Sequence, residues 1–537
     1  MQPRPQNLAY ILEHAARVHG DREIVSAAVE GGIHRTTYRE TLGRTKRLAN
    51  ALRRLGVGPG DRVATLAWNG YRHLEAWYAI AGQGAVCHTV NPRLFADQIA
   101  FILDHAGDRV VLIDHTLLPV LEAVADRLPA LEAVVVMTDA AHMPATGLGN
   151  VHCYETLLAE AAPAFDWPEL PEETPSSLCY TSGTTGNPKG VAYTHRSNLL
   201  MAYACNSADA FALSAMSTVL MVVPMFHANS WGLVYAAPMV GAKLVLPGPR
   251  LDGASIHSLI EAERVTFSAA VPTIWTLLLQ HLEATGGRLD SMKEVVIGGS
   301  AVPAAMIRTF ADSYGVDVLH AWGMTELSPI GTVNRPTVQV LALPAGERLA
   351  IAAKQGRPLY GVEMRIADDN GASLPHDGRS AGRLMVRGPW TVERYYRHER
   401  SALDAGGWFD TGDIATIDGF GYMQVTDRAK DVIKSGGEWI SSVELENAAM
   451  GHPDVALAAV IGLPHPTWDE RPLLVIQPKA GRTPNGAEMR AFLADKVARW
   501  WLPDDTVLVE TIPLAATGKI NKLKLREQFR GHRWPAA

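Results

Sequence analysis

A glycine- and hydroxyl-rich stretch after an apolar segment holds the densest group of reactive side chains in the sequence. It reads Tyr180-Thr181-Ser182-Gly183-Thr184-Thr185-Gly186-Asn187-Pro188-Lys189-Gly190. Glycine exposes backbone amides, and these amides, the hydroxyl donors and one cation are what triphosphate oxygens require. The spacing is not the Walker pattern, which counts against a P-loop NTPase or kinase. The stretch therefore predicts a phosphate-binding loop, with an ordinary Ser- and Gly-rich turn as the alternative.

Short β-branched runs alternate with segments of helical periodicity, such as Asp97–His105 and Ala304–Tyr314. This alternation predicts a mostly parallel sheet layered with helices, in which ligands bind at loops beyond the carboxyl ends of the strands. The chemistry is therefore expected on loops. The runs predicted as strands are Val63–Ala67, Val86–Val90, Val110–Ile113, Val134–Val136, Val219–Val223, Leu244–Leu246, Val295–Ile297 and Val316–Leu319.

The pattern of predicted elements changes in the last third of the chain. Short strands separated by Gly and Asp turns predict a β-rich subdomain over about 356–427. A boundary between 425 and 432 divides the chain into an N-terminal domain, 1–429, and a C-terminal α+β domain, 430–537. The fold class predicted is α/β, with a large N-terminal domain of layered sheets. The elements predicted after the boundary are a helix Val443–Met450 with a capping box at Ser441, strands Ala456–Gly462 and Leu473–Pro478, and a helix near Ala487–Trp501.

Composition excludes several classes of protein. A chain of 537 residues needs at least two hydrophobic cores, and 47% hydrophobic with 20% charged residues is ordinary for a globular protein. The net charge of −7 argues against nucleic acid as a partner. Four cysteines without CxxC spacing suggest neither disulfides nor zinc. The longest apolar stretch, Val219–Phe226, is far short of the ~20 residues of a spanning helix, and no signal peptide is seen, so we expect a cytoplasmic protein without an integral membrane segment.

The phosphate-loop stretch resembles the signature of the adenylate-forming superfamily, which comprises acyl-CoA synthetases, nonribosomal adenylation domains and firefly luciferases. Seven segments resembling that family's motifs occur in order between positions 180 and 519. In one of them Trp322 stands where Tyr is common. Besides the loop, the segments are Pro224–His227, Gly298–Ala301, Trp322–Glu326, Trp408–Asp413, Asp427–Lys430 with Lys434–Glu438, and Pro513–Lys519.

The resemblance implies two half-reactions that use ATP, Mg²⁺ and CoA. A carboxylate first attacks the α-phosphorus of ATP to give acyl-AMP and pyrophosphate, and a thiol then displaces AMP. The first step brings two anions together, so cations and amide donors must be placed in advance. The catalytic residues that the resemblance implies are Lys519, His227, Glu326 and Thr184, with Glu326 and Thr184 as the Mg²⁺ ligands.

The resemblance also assigns a nucleotide site. Taken alone, Lys519 would be a solvated lysine in a Thr-Gly-Lys turn, and Asp413 or Arg428 could simply stabilise a turn. The ATP- and AMP-binding residues implied are Thr181, Ser182, Gly183, Thr184, Thr185, Gly186, Lys189, Gly299, Ser300, Ala301, His320, Ala321, Trp322, Gly323, Met324, Thr325, Asp413, Val425, Arg428, Lys434 and Lys519.

The resemblance further implies that the C-terminal domain is mobile and rotates about Lys430 after adenylation, where many family members carry Asp. The rotation would replace Lys519 in the site with a glycine-rich loop that opens a path for the thiol. The residues implied for the CoA step are Lys430, Ser435, Gly436, Gly437, Glu438 and Trp439.

The stretches Asp427–Ser442 and His465–Pro472 resemble bacterial medium- and long-chain fatty acyl-CoA synthetases and 3-methylmercaptopropionyl-CoA ligases. A medium-chain to long-chain fatty acid is the predicted substrate, and 3-methylmercaptopropionate or a short-chain acid is the alternative. A luciferase-like oxygenase and a non-catalytic acyl-nucleotide binding protein are weaker alternatives. Trp231 is either a gate to the acyl site or core packing, and Trp500 with Trp501 or the N-terminal helix could serve a homodimer contact. The acyl-site residues predicted are His227, Trp231, Val271, Thr273, Gly298, Gly323, Met324 and Ile330.

Overall fold

The computed structural model describes residues 1–181, 187–429, 431–435, 438–515 and 519–534. Predictions for 182–186, for Lys430 and for 436–437 therefore lie outside the described residues, as do the side chains of Glu438 and Trp439. None of the helices described in these ranges is long and apolar enough to cross a membrane.

The described strands are β1 (Glu23–Ala27), β2 (Ile33–Thr37), β3 (Arg62–Leu66), β4 (Val86–Thr89), β5 (Val110–Ile113), β6 (Ala133–Val136), β7 (Val151–Cys153), β8 (Pro175–Thr181), β9 (Lys189–Thr194), β10 (Thr218–Leu220), β11 (Lys243–Leu246), β12 (Phe267–Ala270), β13 (Glu294–Ile297), β14 (Asp317–Gly323), β15 (Ile330–Val333), β16 (Arg357–Pro358), β17 (Glu363–Ala367), β18 (Gly382–Arg387), β19 (Phe409–Ile417), β20 (Met423–Arg428), β21 (Ile433–Ser435), β22 (Glu438–Ile440), β23 (Val455–His465), β24 (Asp469–Pro478) and β25 (Asp505–Leu508).

The described helical segments are α1 (Ala9–Val18), α2 (Tyr38–Arg54), α3 (Tyr71–Gly82), α4 (Ala96–Ala106), α5 (Leu118–Glu122), α6 (Tyr154–Glu160), α7 (His195–Cys205), the single turn α8 (Ala228–Trp231), α9 (Leu233–Met239), α10 (Gly253–Glu263), α11 (Pro272–Thr285), α12 (Ala304–Arg308), α13 (Val338–Leu341), α14 (Ala345–Ala352), α15 (Ser442–Met450), α16 (Gly486–Leu493) and α17 (Lys522–Gln528). Short 3-10 or π turns lie at His115–Leu117, Ala125–Arg127, Ala140–His142, Thr309–Ser313, Thr325–Leu327 and Arg499–Trp501.

Two large, mostly parallel sheets form the N-terminal part of the molecule. One runs β7-β6-β5-β3-β4-β8-β9, and the other runs β16-β15-β14-β13-β12-β10-β11-β1-β2. Every residue of α3 is buried, and its side chains share one core cluster with strands of both sheets. A helix that is buried all round belongs to the interior, so α3 is a central element of this layered core. The predicted α/β class is confirmed.

Two smaller sheets follow. Strands β17 to β20 form a four-stranded antiparallel sheet, which is the β-rich region that the turn pattern predicts. Strands β21 to β25 form a five-stranded sheet of their own, and α15 and α16 pack on it to make a separate C-terminal α+β domain. Helix α15 begins at Ser442, one residue before the predicted start, and the Ser441 hydroxyl caps it by accepting the Glu444 N–H at 3.1 Å.

The predicted helix near Ala487–Trp501 was wrong in its second half. Helix α16 ends at Leu493, and a short 3-10 turn follows at Arg499–Trp501. Tertiary packing explains the difference. Leu502 is buried in the core of the C-terminal domain, and the chain must turn back so that β25 can pair in parallel with β24. The helix predicted over Ala304–Tyr314 is an α-helix only from Ala304 to Arg308, and the chain continues as a π turn over Thr309–Ser313.

A buried polar cluster ties strand β20 to the C-terminal domain. The Asp427 carboxylate accepts both the backbone N–H of Ser442, at 2.6 Å, and its hydroxyl, at 2.7 Å. The Lys522 ammonium donates to the same hydroxyl at 2.6 Å and pairs with Glu446 at 2.9 Å. Because Lys522 stands three residues after Lys519, this cluster holds the segment that carries Lys519 against the end of β20.

Replacing Asp427 by Ala should destabilise the protein. The change leaves the buried Ser442 N–H without its acceptor, a loss that costs about 1–3 kcal/mol. The free energy of unfolding from urea titration should fall by that amount, while Arg482→Ala, which removes a side chain that is 64% exposed, should change it little. Equal stabilities of the two variants would show that the cluster does not stabilise the fold.

Candidate active site

The loop that contains the predicted segment Pro224–His227 ends in a left-handed turn. Ala228, Asn229, Ser230 and Trp231 have φ values of 43°, 55°, 50° and 52°. Each left-handed residue with a side chain costs roughly 1–2 kcal/mol, so buried contacts must offset this strain. Asn229 donates to Asn198 Oδ1 at 2.8 Å, and the Ser230 hydroxyl donates to the Val223 carbonyl at 2.6 Å. The turn therefore points Trp231 in one direction.

The Trp231 indole points toward the glycine turn after β13, which Gly298 and Gly299 form. A Cβ on Gly298 would lie 3.1 Å from Cη2 of Trp231 and 2.8 Å from the Ala321 carbonyl oxygen. A Cβ on Gly299 would lie 3.1 Å from Val271, 3.7 Å from Cζ2 of Trp231 and 3.6 Å from Cε of Lys519. Gly299 also has a φ of 79°, which favours glycine. The two glycines thus allow the Trp231, Val271 and Lys519 side chains to approach the backbone closely.

Lys519 reaches this point from the C-terminal domain. Burial, reinforced by the charge of Arg428, lowers the pKa of its ammonium to about 8, although Asp413 and Glu326 act in the opposite direction. The lysine therefore lies among two carboxylates and a guanidinium. Such a partly desolvated cation interacts strongly with an incoming anion because the local dielectric constant is low.

Asp413 is buried and held from two sides. The Trp322 indole N–H donates to its Oδ2 at 3.0 Å, and Nε of Arg428 lies 2.8 Å from its Oδ1. Burial raises the pKa of the carboxyl, while Arg428 and Trp322 oppose that rise. Asp413 and Arg428 are direct partners in the pairing of β19 with β20. Trp322, which replaces the common Tyr, thus has a defined role as a donor to Asp413.

Glu326 lies in the turn after β14 and is also buried. Burial raises the pKa of its carboxyl, and a hydrogen bond from Tyr395 opposes the rise. The Tyr395 hydroxyl donates to Oε1 of Glu326 at 2.9 Å, and the Tyr395 ring lies 4.8 Å below the Lys189 ammonium. Carboxylate oxygens are the ligands that Mg²⁺ prefers, so Glu326 fits the predicted metal role.

His227 precedes the left-handed turn and is half-buried. Burial, together with the nearby Lys519 charge, lowers the pKa of its imidazole to about 4. At neutral pH the ring is therefore uncharged and can donate or accept one hydrogen bond. A neutral imidazole N–H beside Lys519 can donate a hydrogen bond to a carboxylate, while the positive charge that attracts the carboxylate stays on the lysine.

Two family profiles together match most of the sequence, including the segments that form this site. The family profile described as AMP-binding enzyme matches residues 12–396, and the profile of the AMP-binding enzyme C-terminal domain matches residues 444–519. The chain belongs to the AMP-binding enzyme family. Its Lys519 is the last residue of the second match.

Relatives of this AMP-binding enzyme cover nearly its whole length. It is 49% identical over 530 residues to 3-methylmercaptopropionyl-CoA ligase of Ruegeria pomeroyi, covering 99% of this chain and 98% of the relative. It is 50% identical over 519 residues to medium-chain-fatty-acid–CoA ligase of Ectopseudomonas oleovorans, covering 97% and 95%. A crystal structure of an anthranilate CoA ligase with anthranoyl-AMP superposes with a TM-score of 0.87 at 27% identity, covering 98% of each chain.

Some predicted nucleotide residues have partners that the sequence did not suggest. The His320 ring is fully buried and bonds the Ala353 carbonyl at 2.9 Å, and its backbone carbonyl accepts the Asn334 N–H at 2.8 Å, so this residue faces the protein interior. The Val425 N–H donates to Gln355 at 2.8 Å. Lys434 is exposed on β21, and its N–H donates to Glu470 at 3.0 Å, within the C-terminal domain.

The structure also gives the surroundings of the other predicted nucleotide residues. Thr181 is half-buried opposite Lys189 in the pairing of β8 with β9, at the two ends of the phosphate loop. Gly323 is sterically required, because a Cβ there would lie 2.1 Å from the Pro329 carbonyl oxygen. Ser300 is exposed and Ala301 half-buried after the glycine turn, and Thr325 is buried beside Glu326.

The predicted acyl-site residues fall into two groups. Trp231 and Ile330 belong to one core cluster, and Val271 packs against it. Met324 packs instead against the cluster that contains Trp322 and the β-rich strands. Trp231 and Val271 thus meet at the Gly299 turn, whereas Met324 packs with the β-rich strands.

Three contributors escaped the sequence reasoning. Tyr395 stands in a pair of tyrosines with no spacing signal, Gly331 leaves room for the Trp322 ring at 2.5 Å from where its Cβ would be, and Asn229 anchors the left-handed turn. Asn229 lies between the predicted residues His227 and Trp231, so a small polar side chain at that place was the available signal.

The pH dependence of catalysis should report Lys519. Its ammonium loses its proton as the pH rises through about 8, so kcat/KM for pyrophosphate release from ATP and octanoate should fall above that pH. In Lys519→Arg the guanidinium keeps its proton to about pH 12, so this decline should disappear although the rate is lower. A decline at the same pH in Lys519→Arg would assign it to another group.

Proposed function

We propose that this protein is an AMP-forming acid–thiol ligase that converts a medium-chain, or longer, fatty acid to its CoA thioester with ATP. The observation that carries the proposal is the position of Lys519, a lysine of the C-terminal domain whose side chain lies beside Gly299 and within the field of Asp413 and Glu326. Relatives about half identical to this chain are named as CoA ligases, which supports the same reaction.

In the first half-reaction, a carboxylate oxygen of the acid forms a bond to the α-phosphorus of ATP, and the bond from that phosphorus to the pyrophosphate oxygen breaks. Lys519 donates hydrogen bonds to both anions and offsets their repulsion. His227, neutral at physiological pH, orients the acid carboxylate. Trp231, at the same glycine turn, limits the space beside the reacting carbon.

The nucleotide is proposed to lie along the carboxyl ends of β13 and β14. Gly299, Ser300 and Ala301 contact adenine, and Asp413 with Arg428 bind the ribose hydroxyls through charge-assisted hydrogen bonds. The phosphates extend to Thr181, Lys189 and the loop between them, whose residues Ser182, Gly183, Thr184, Thr185 and Gly186 lie outside the described residues.

Mg²⁺ is proposed at Glu326, with Thr184 as the second protein ligand. The donor chemistry fits, since a hard cation takes one or two carboxylate or hydroxyl oxygens and completes its shell with phosphates and water. When bound, the ion neutralises phosphate charge as pyrophosphate leaves. The chain's part is to hold the Glu326 carboxylate in a fixed orientation inside a buried turn.

In the second half-reaction, the CoA sulfur, as a thiolate, attacks the acyl carbon, and the bond from that carbon to the AMP oxygen breaks. We assign this step to Lys430, Ser435, Gly436, Gly437, Glu438 and Trp439 after the domain comprising 430–537 rotates relative to 1–429. Of these residues Ser435 is buried, and its hydroxyl accepts a hydrogen bond from Arg471 at 3.1 Å. That contact supports a fixed geometry for the start of the loop.

The identity of the acid has one main alternative. The relative named 3-methylmercaptopropionyl-CoA ligase is as similar to this chain as the medium-chain relative, so 3-methylmercaptopropionate or another short acid is the second candidate. A luciferase-like oxygenase or a non-catalytic nucleotide-binding protein is a weaker candidate. Homodimer formation and a cytoplasmic location remain predictions.

Pyrophosphate release across a panel of acids tests the proposal. Acetate, 3-methylmercaptopropionate, butyrate, octanoate, palmitate and benzoate are each supplied with ATP and Mg²⁺, with and without CoA. We expect the highest kcat/KM with octanoate and formation of its CoA thioester.

The Lys519→Ala variant should lose pyrophosphate release by at least about 100-fold while ATP binding stays nearly unchanged.

Other outcomes of this panel have defined meanings. A maximum at 3-methylmercaptopropionate or butyrate would establish the alternative acid. Pyrophosphate release without thioester, with oxygen uptake or light, would establish the oxygenase. Full activity of Lys519→Ala would refute the catalytic role of that lysine. No pyrophosphate release with any acid would refute the proposal that the protein is an acid-activating enzyme.

Trp231 should set the width of the acyl site near the reacting carbon. In Trp231→Ala the space against Gly298 and Gly299 opens, so the ratio of kcat/KM for benzoate to that for butyrate should rise about tenfold, the effect of about 1.4 kcal/mol of relieved clash. Trp231→Phe, which keeps an aromatic ring, serves as the matched control. An unchanged ratio in both variants would leave Trp231 as core packing.

A further inference from the structure

Tyr395 occupies the space between the end of the phosphate loop and Glu326. Its hydroxyl donates to Glu326 Oε1 at 2.9 Å, and its ring lies 4.8 Å from the Lys189 ammonium. One side chain thus contacts both the cation of the phosphate loop and the carboxylate assigned to the metal. No motif of the sequence points to it.

Backbone hydrogen bonds on either side of Tyr395 join its segment to the Glu326 turn and to the end of the phosphate loop. The Val392 N–H donates to the Glu326 carbonyl at 2.7 Å, and the Tyr396 N–H donates to the Gly190 carbonyl at 2.7 Å. These bonds hold residues 392–396 across the gap between β9 and the Glu326 turn. The position of the Tyr395 ring is therefore set by Glu326 and the phosphate loop together.

The surroundings of Glu326 explain why such a donor matters. The Glu326 side chain is buried, and its neighbour Thr325 is fixed through its carbonyl by the Tyr193 hydroxyl at 2.7 Å. The backbone of the turn is thus held independently of Tyr395, but the rotation of the carboxylate is not. Among the contacts of the described residues, the bond from Tyr395 is the side-chain hydrogen bond that orients this carboxylate.

We propose that Tyr395 is a positioning residue for the Mg²⁺·ATP complex: its hydroxyl orients the Glu326 carboxylate for the metal, and its ring supports Lys189 at the phosphates. This inference rests on the proposed function. Partners that hydrogen-bond a metal-ligating carboxylate fix its direction, and their removal costs about 10- to 100-fold in metal affinity. A cation over an aromatic face is held by the ring quadrupole.

Two variants separate the two parts of the role. Tyr395→Phe removes the hydroxyl and keeps the ring below Lys189, whereas Tyr395→Leu removes both. Tyr396→Phe is the matched control, because it deletes the neighbouring hydroxyl, which donates to the Ala106 carbonyl at 3.3 Å, away from Glu326.

Binding is measured on the full chain without any acid. Calorimetry gives the affinity for ATP with and without Mg²⁺, and the paramagnetic resonance of Mn²⁺ gives the affinity for Mn²⁺ in the presence of saturating ATP. In Tyr395→Phe the Mn²⁺ affinity should fall about tenfold while metal-free ATP binding stays within twofold. In Tyr395→Leu metal-free ATP binding should weaken as well, and Tyr396→Phe should match the parent protein in both.

The result separates this inference from the proposed function. If the parent protein binds ATP with Mn²⁺ and Tyr395→Phe binds Mn²⁺ equally well or more tightly, the positioning role is overturned and the ligase proposal stands. If Tyr395→Phe loses metal-free and metal-bound ATP binding alike, the tyrosine is structural and the inference is also overturned. If the parent protein binds no ATP, the proposed function itself fails.

Discussion

The structure depends on bringing the Lys519 ammonium out of water into a site that already holds buried charges. Asp413 and Glu326 are carboxylates with little contact with solvent, and Arg428 pairs with the first of them. The cost of removing Asp413 from water is offset by hydrogen bonds from Trp322 and Arg428, and that of Glu326 by a hydrogen bond from Tyr395. The site is therefore preorganised for anions, and that preorganisation is what an adenylation step needs.

Close backbone approach is the second requirement, and small residues supply it. The indole of Trp231 and the chain of Lys519 can both reach the turn after β13 only because Gly298 and Gly299 have no side chains. The strained left-handed turn before Trp231 serves the same arrangement from the other side. Its buried contacts through Asn229 and Ser230 hold a conformation that the backbone alone would avoid.

The two domains divide this work. The N-terminal sheets hold Glu326 and the glycine turn beyond the carboxyl ends of β14 and β13, the usual place for a ligand in a parallel sheet, while Asp413 lies on β19 of the antiparallel sheet. The C-terminal domain contributes one cation, and the Asp427–Ser442–Lys522 cluster fastens the segment that bears it. Tyr395, in the β-rich region, joins the phosphate loop to the acidic turn and so links a third part of the chain to the same site.

Sequence alone determined the α/β fold class, some of the strands and helices and the positions of the reactive motifs, because hydrophobic periodicity and motif spacing are local properties of the chain. It failed at residues 494–501, where packing of Leu502 and the pairing of β25 end the helix early. Only the tertiary structure decided that the His320 ring faces Ala353, that Trp322 donates to Asp413 and that Tyr395 reaches Glu326. These contacts join residues 33 to 91 positions apart, and no local pattern records which distant side chain a buried polar group will find.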